Sequence, residues 1–315
     1  MTSPLDAVRA SCAAVAARAR SVAIVQEALP AYAAGLPLGT LAAPSVDPTY
    51  HVVADEATTV AYFVTLDTIN FGSGYFPRLR KRPGLSGYFN VALSLKEAFE
   101  REGPWSAEAL AAMTPARCTE VFGQEPDFPL MTLFATALAD LGRLLLAEYG
   151  GSPLALVRAA EGSAERLVAL LQALPGYRDV AAYDGLTVAF YKRAQLLAAD
   201  LALAVRTPLT AFRDLDRLTI FADNLVPHVL RVDGLLRYAP ALLARIDAEK
   251  PIAAGSPEEV EIRACALHAV ELLRAELARQ GATVTSSQLD YYLWNRGQGP
   301  RYKALPRHRA LSVYY

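Results

Sequence analysis

Between Thr187 and Tyr238 the chain sets a lysine, a glutamine and several acids inside otherwise apolar helical patterns. An unpaired polar group taken out of water costs roughly 2–7 kcal/mol, and a charge more, so such residues need a reason to be there. They concentrate in Tyr191–Asp200 (YKRAQLLAAD) and Phe221–Leu230 (FADNLVPHVL), which are read as facing each other across a pocket. At helical spacing Lys192, Gln195, Leu196 and Ala199 share one face, and Arg193 and Asp200 share the adjacent one. On that reading Arg193–Asp200 is an ion pair that tethers helices. Lys192 either snorkels to the surface or meets a substrate. Composition singles it out, since 5 lysines stand against 26 arginines and a compact ammonium shifts its pKa readily on burial. Asp223 precedes Pro227, which suits the first turn of a helix and disfavours helix in the residue before it. Its carboxylate either caps that helix or points from a helix-turn-helix junction into a cleft.

Further along the search for chemistry, Asp67 and Asn70 are read as lying on a loop with Phe71, Gly72, Gly74, Tyr75 and Phe76. Asp67 either closes an Asx turn or lines a site, where glycines admit a ligand to the backbone and aromatics supply flat walls. His51 and His228 are read first as hydrogen-bonding residues. The chain has no HExxH or paired Cys/His spacing, no P-loop, no GxGxxG after a strand and no GxSxG. Neither metal nor cofactor is therefore expected, and phosphotransfer, dinucleotide redox and serine-hydrolase chemistry lose their support. Scattered acids, one lysine and many aromatics suit hydrolysis at a carbon that develops positive charge. A carboxylate would stabilise an oxocarbenium-like transition state while aromatics hold a planar leaving group.

The elements that must position these groups read as mostly α, possibly with a few short strands. The 315 residues, 53% hydrophobic, can bury a large core, and without repeats or a long linker they are read as a single compact domain, 1–315. Two helices are expected over Pro4–Ala34, the second ended by Pro30, followed by a loop over 37–48. Thr58–Leu66 fits a strand or a buried helix, and the helical remainder of the chain favours helix. Helical patterns follow at Phe89–Arg101, Ser106–Met113, Pro129–Tyr149, Ser163–Leu174 and from Ser256 to Gly281. Asp214 or Asp216 is expected to cap a short helix leading into FAD, and Arg78–Arg82 to be a solvated face. The aromatic tail is expected to be docked. A net charge of −1 argues against stable nucleic-acid binding. Three separated cysteines fit a reducing cytoplasm. No signal peptide is seen, and apolar runs are read as broken before the roughly 18 residues of a membrane span.

Several motifs, in chain order, are specific together: LDTINF at 66–71, GYRD at 176–179, FYKRAQLLAAD at 190–200, LTIFADNLVP at 218–227, GLLRY at 234–238, EVEIRA at 259–264, LDYYLW at 289–294 and HRALSVYY at 308–315. With them the chain resembles the queuosine salvage proteins, queuosine 5′-phosphate N-glycosylases, over roughly Tyr50 to Tyr315. The resemblance implies a multi-helical fold similar to helix-hairpin-helix DNA glycosylases, and release of the 7-deazaguanine base queuine from a ribose phosphate. Carried over by motif, Asp223 would be the catalytic carboxylate, Phe221 would stack on the base, and Lys192 would face the sugar or phosphate. Asp67 and Asp290, with Tyr291 or Tyr292 and His51, would line the base pocket, and His308 and Arg309 would contact phosphate. Asn224 and Gly72-Ser73-Gly74 stand where the family more usually has aromatics. A broader nucleoside hydrolase or DNA glycosylase is one alternative, and a non-catalytic queuine- or tRNA-binding module another.

Overall fold

Short caps set most helix starts. In the computed structural model, which describes residues 3–41 and 44–315, Ser, Thr or Asp side chains accept N–H bonds at helix N-termini, often with proline in the first turn. The chain opens with α1 (Pro4–Ala16), β1 (Val22–Ile24) and α2 (Leu29–Ala34). Here the sequence expectation fails. Val22–Ile24 is a strand paired antiparallel with β4 (Leu236–Tyr238), and Pro30 lies in the first turn of α2 instead of ending a helix. Pairing with a distant strand overrides the local pattern. The loop expected over 37–48 includes Ala42 and Ala43, which lie outside the described residues.

Next come α3 (Glu56–Thr68), α4 (Gly87–Glu102), α5 (Ala107–Ala111), α6 (Pro115–Phe122) and α7 (Pro129–Glu148). Thr58–Leu66 is thus helical, capped by Asp55. Contrary to the composition reading, α7 is long and apolar enough to cross a membrane by length and composition. Its stripe of Leu130, Met131, Phe134, Leu138, Leu141 and Leu145 is buried in the core. Then follow α8 (Pro153–Ala159), α9 (Ala164–Leu171) and a hairpin of β2 (Val180–Tyr183) and β3 (Leu186–Ala189). The hairpin turns on Asp184-Gly185, both at positive φ, as a two-residue turn of primed type requires. Asp214 does not cap the turn into FAD. Its carboxylate accepts the N–H groups of Ala164 and Glu165 and so caps α9.

The remaining helices are α10 (Lys192–Ala204), α11 (Val226–Val232), α12 (Pro240–Asp247), α13 (Pro257–Arg279), α14 (Ser286–Arg296) and α15 (Pro300–Lys303). Ser256 caps α13, and Thr285 with Gln288 forms a capping box on α14. The mostly α body has two hydrophobic cores. One gathers α3 to α9 and the inner face of α10; the other gathers α1, α2, α11, α13, α14 and the strands. The tail is docked as expected, and the oxygen of Tyr315 accepts the N–H of Gly72 at 2.9 Å.

Candidate active site

At the seam of the two cores lies a cavity of about 660 Å³. His51, Lys192, Asp200, Phe221, Asp223, Asp290 and Tyr291 all border it. Lys192 is the first residue of α10, and Tyr191 before it is left-handed at φ 49°, ψ 39°. A side chain in that region costs roughly 1–2 kcal/mol, so the surroundings must hold the bend. Lys192, Leu196, Ala199 and Asp200 form the wall on successive turns. Gln195 turns away from it: its Oε1 accepts the Thr219 N–H at 2.8 Å and its Nε2 donates to the Phe190 carbonyl at 2.9 Å. That side chain ties α10 to the strand-like run leading to Phe221. Burial lowers the Lys192 pKa, opposed by Asp223 and Asp67.

Asp223 is both cap and wall. Its Oδ1 accepts the N–H groups of Leu225 at 2.7 Å and Val226 at 3.1 Å, which fixes the carboxylate at the start of α11. Its Oδ2 has no hydrogen bond among the described residues and belongs to a side chain bordering the cavity. Across from it on α14, Asp290 Oδ1 accepts the Phe221 N–H at 2.8 Å. Burial, reinforced by Asp223, pushes the Asp290 carboxyl up to about 8. His51 is held from both ring nitrogens, by the Asp47 carbonyl and the Tyr88 hydroxyl, each at 2.9 Å. A carbonyl only accepts, so Nδ1 carries the proton and Nε2 faces the tyrosine. Burial lowers its pKa.

Several sequence readings need correction. Asp67 lies in the last turn of α3, not on a loop, and is fully buried off the cavity wall, where Oδ1 accepts from Asn70 at 3.0 Å and Oδ2 has no partner among the described residues. Asn70, not Asp67, borders the cavity. Burial raises Asp67 to about 7 against the pull of Asn70 and Lys192. Arg193 and Asp200 form no ion pair. Seven helical residues separate them by about 10 Å along the axis. Arg193 instead donates to the carbonyls of Thr68, Gly176 and Val313 and stacks over Phe71 and Tyr177. Asp200 is left facing the cavity, and burial together with Asp67 holds its carboxyl well above the usual range.

Tyr292 packs with the second core, its hydroxyl accepting from Arg296, and Tyr291 is the one that reaches the cavity. In the tail, His308 is buried against Tyr315 and Arg309 pairs with Glu249 on the outside. Arg307, which the sequence reading passed over, borders the cavity. Glu249 claims Arg309, and nothing local in the sequence marks which tail cation goes where. The glycines after Phe71 do not open the backbone to a ligand. A Cβ on Gly74 would stand 2.1 Å from the Ala310 oxygen, so this loop is cut close for the tail. No group of His, Cys, Asp or Glu side chains suited to a metal ion occurs among the described residues.

Comparison with known proteins adds an independent line. The family model described as queuosine salvage protein matches residues 50–315. A protein of Sphaerobacter thermophilus, named queuosine 5′-phosphate N-glycosylase/hydrolase, is 42% identical over 260 residues, covering 81% of this chain and 80% of the relative. Proteins with the same name from Bos taurus and Dictyostelium discoideum are each 32% identical, over 282 and 260 residues. Those matches cover 83% and 82% of this chain and 82% and 78% of the respective relatives.

Proposed function

The chain belongs to the queuosine salvage protein family, and on that premise we propose that it hydrolyses the N-glycosidic bond of queuosine 5′-phosphate and releases queuine. The observation that carries this reading is the convergence of Asp223, Asp290, Lys192 and Phe221 on one cavity of about 660 Å³ between the cores, a size suited to a small molecule. Phe221 stacks on the base. As the C1′–N9 bond breaks, its electron pair leaves with the base and positive charge develops at C1′. The open oxygen of Asp223 stabilises that charge, and a water adds its oxygen at C1′ while passing a proton to the Asp223 carboxylate, which returns it to solvent as Asp290 regains its own.

A 7-deazapurine has no N7 to protonate, so the leaving group needs help from elsewhere. Asp290, raised to about 8 by burial and Asp223, holds a proton near neutrality and can give it to the departing base. The secondary amine of queuine is cationic at neutral pH. Burial raises the carboxyls of Asp200 on the wall and Asp67 behind it, and an ammonium bound beside them would favour their charged forms. Lys192 and Arg307 are the cations assigned to the sugar phosphate. Within this reading the enzyme acts in the cytoplasm on a free nucleotide, without stable nucleic-acid or membrane binding. The near-neutral net charge of −1 supports that.

The test is chromatography of queuosine 5′-phosphate after incubation with the protein. Free queuine is expected from the wild type. Asp223→Asn should lose about 10²–10³-fold in kcat while staying folded, and full activity in that variant would overturn the assignment.

A further inference from the structure

Two sequence motifs, Gly176–Asp179 and Glu259–Ala264, supply no side chain to the reaction above, yet each contains one half of a buried ion pair. Asp179 and Arg263 are each 2% exposed. The guanidinium and carboxylate meet as a fork, Nη1 to Oδ1 at 3.0 Å and Nη2 to Oδ2 at 2.6 Å. The faces of Arg263 lie over the rings of Phe190 and Tyr315 at 3.9 and 4.6 Å.

What distinguishes the pair is what its remaining groups hold. The Asp179 carbonyl accepts the N–H groups of Phe190 at 2.9 Å and Tyr191 at 3.4 Å. Its Oδ2 accepts the N–H of Lys192 at 3.2 Å. Three successive amides thus converge on one residue, across the left-handed bend at Tyr191, and that residue fixes where α10 begins. At the other end Arg263 Nε donates to the Ala222 carbonyl at 2.9 Å, one residue before Asp223. A carboxylate can accept two guanidinium N–H groups and a backbone N–H together, and a guanidinium can give a fork to one partner while its Nε serves another.

We infer that Asp179 and Arg263 are positioning residues, a clamp that sets Lys192 at the head of α10 against Asp223 at the head of α11. The inference rests on the roles given to Lys192 and Asp223 above. Neither clamp residue touches substrate. A buried ion pair is weak evidence for stability in itself, since an apolar pair of similar volume often serves as well. This one has its free donors and acceptors aimed at the two backbone positions that carry the reacting side chains.

The test measures kcat, KM and thermal unfolding for the wild type, Arg263→Lys, Asp179→Asn and Glu259→Gln. Lysine has one point donor and cannot hold both Asp179 and Ala222. Arg263→Lys should therefore lose about 10²-fold in kcat, the effect of an ångström-scale misplacement, with KM changed by less than about threefold. Asp179→Asn should lose kcat likewise and, because it frees the Lys192 end that meets the sugar phosphate, should also raise KM. Glu259 approaches Arg263 at 3.6 Å but holds neither backbone position, so Glu259→Gln should lower the unfolding temperature and leave kcat within about threefold. Clamp variants that fold and keep wild-type kcat overturn the inference. So does failure of both to fold, which would make the pair a general folding requirement.

Should the wild type release no queuine, the proposed function fails. The clamp is then judged by 13C NMR of lysine-labelled protein, with the Lys192 signal assigned by Lys192→Arg among the 5 lysines. In Asp179→Asn the Lys192 signal should move and the other four stay, and an unmoved signal overturns the clamp independently of activity.

Discussion

Asp290 takes its character from where it sits. Facing Asp223 in a water-poor wall, it is raised to about 8, even though the Phe221 N–H and Lys192 pull the other way. If it supplies the proton to the base, kcat declines as pH rises through about 8, and the residual activity of Asp290→Asn no longer follows that decline. A wild-type profile flat from about pH 6 to about pH 9 would remove Asp290 as the acid. Stability carries the same signature. The folded carboxyl keeps its proton up to about pH 8, whereas the unfolded one releases it near about pH 4. Between those values the native state binds the extra proton, so stability falls as pH rises, and Asp290→Asn should flatten that slope in denaturant titrations. Among the residues that border the cavity, Lys192 was legible from helical phase and Asp223 from the Pro227 junction, and Phe221, Asp290, Tyr291 and His51 only from the family resemblance. Arg193 and Asp200 were not. Arg193 binds carbonyls, and a backbone acceptor leaves no mark in a sequence; Asp200 reads as a partner only until the pairing distance is known.

Helices announced themselves through local signals: Ser256 before Pro257, Pro227 inside α11, and an apolar stripe along the 20-residue α7. The short strands did not. Val22–Ile24 is three residues whose partner, Leu236–Tyr238, lies at the far side of the chain, and no window of sequence contains both. The loop after Phe71 was misjudged for the same reason, since its glycines answer to the tail. A methyl group on Gly74 would meet backbone, not a side chain able to swing aside. Gly74→Ala should therefore destabilise by about 1–3 kcal/mol in urea unfolding, as overpacking does. Gly39, with nothing within 4 Å of its Cβ position, is the control, and its alanine variant should change stability by less than about 0.5 kcal/mol. Equal behaviour of the two variants would show that the loop and tail are not locked together.

At the scale of the whole molecule, the cavity lies between two cores, so a ligand there bridges both. Queuine at about 100 times its Kd should raise stability by about 2.7 kcal/mol. Asp223→Asn, which is expected to bind without turnover, should keep most of that gain. Absence of any thermal shift in either protein would move the base out of this cavity. The wall of the cavity begins with Pro44 and ends with Tyr315. A ribosome delivers such a chain from one end only, so His51 and Lys192 are made long before Arg307 and the oxygen of Tyr315 that seats on Gly72. Until that last stretch has emerged and docked, the two cores can each condense, but the chamber between them stands open on one side. Queuine release by a refolding sample would therefore report the closing of contacts far apart in the sequence, after helix content has already returned.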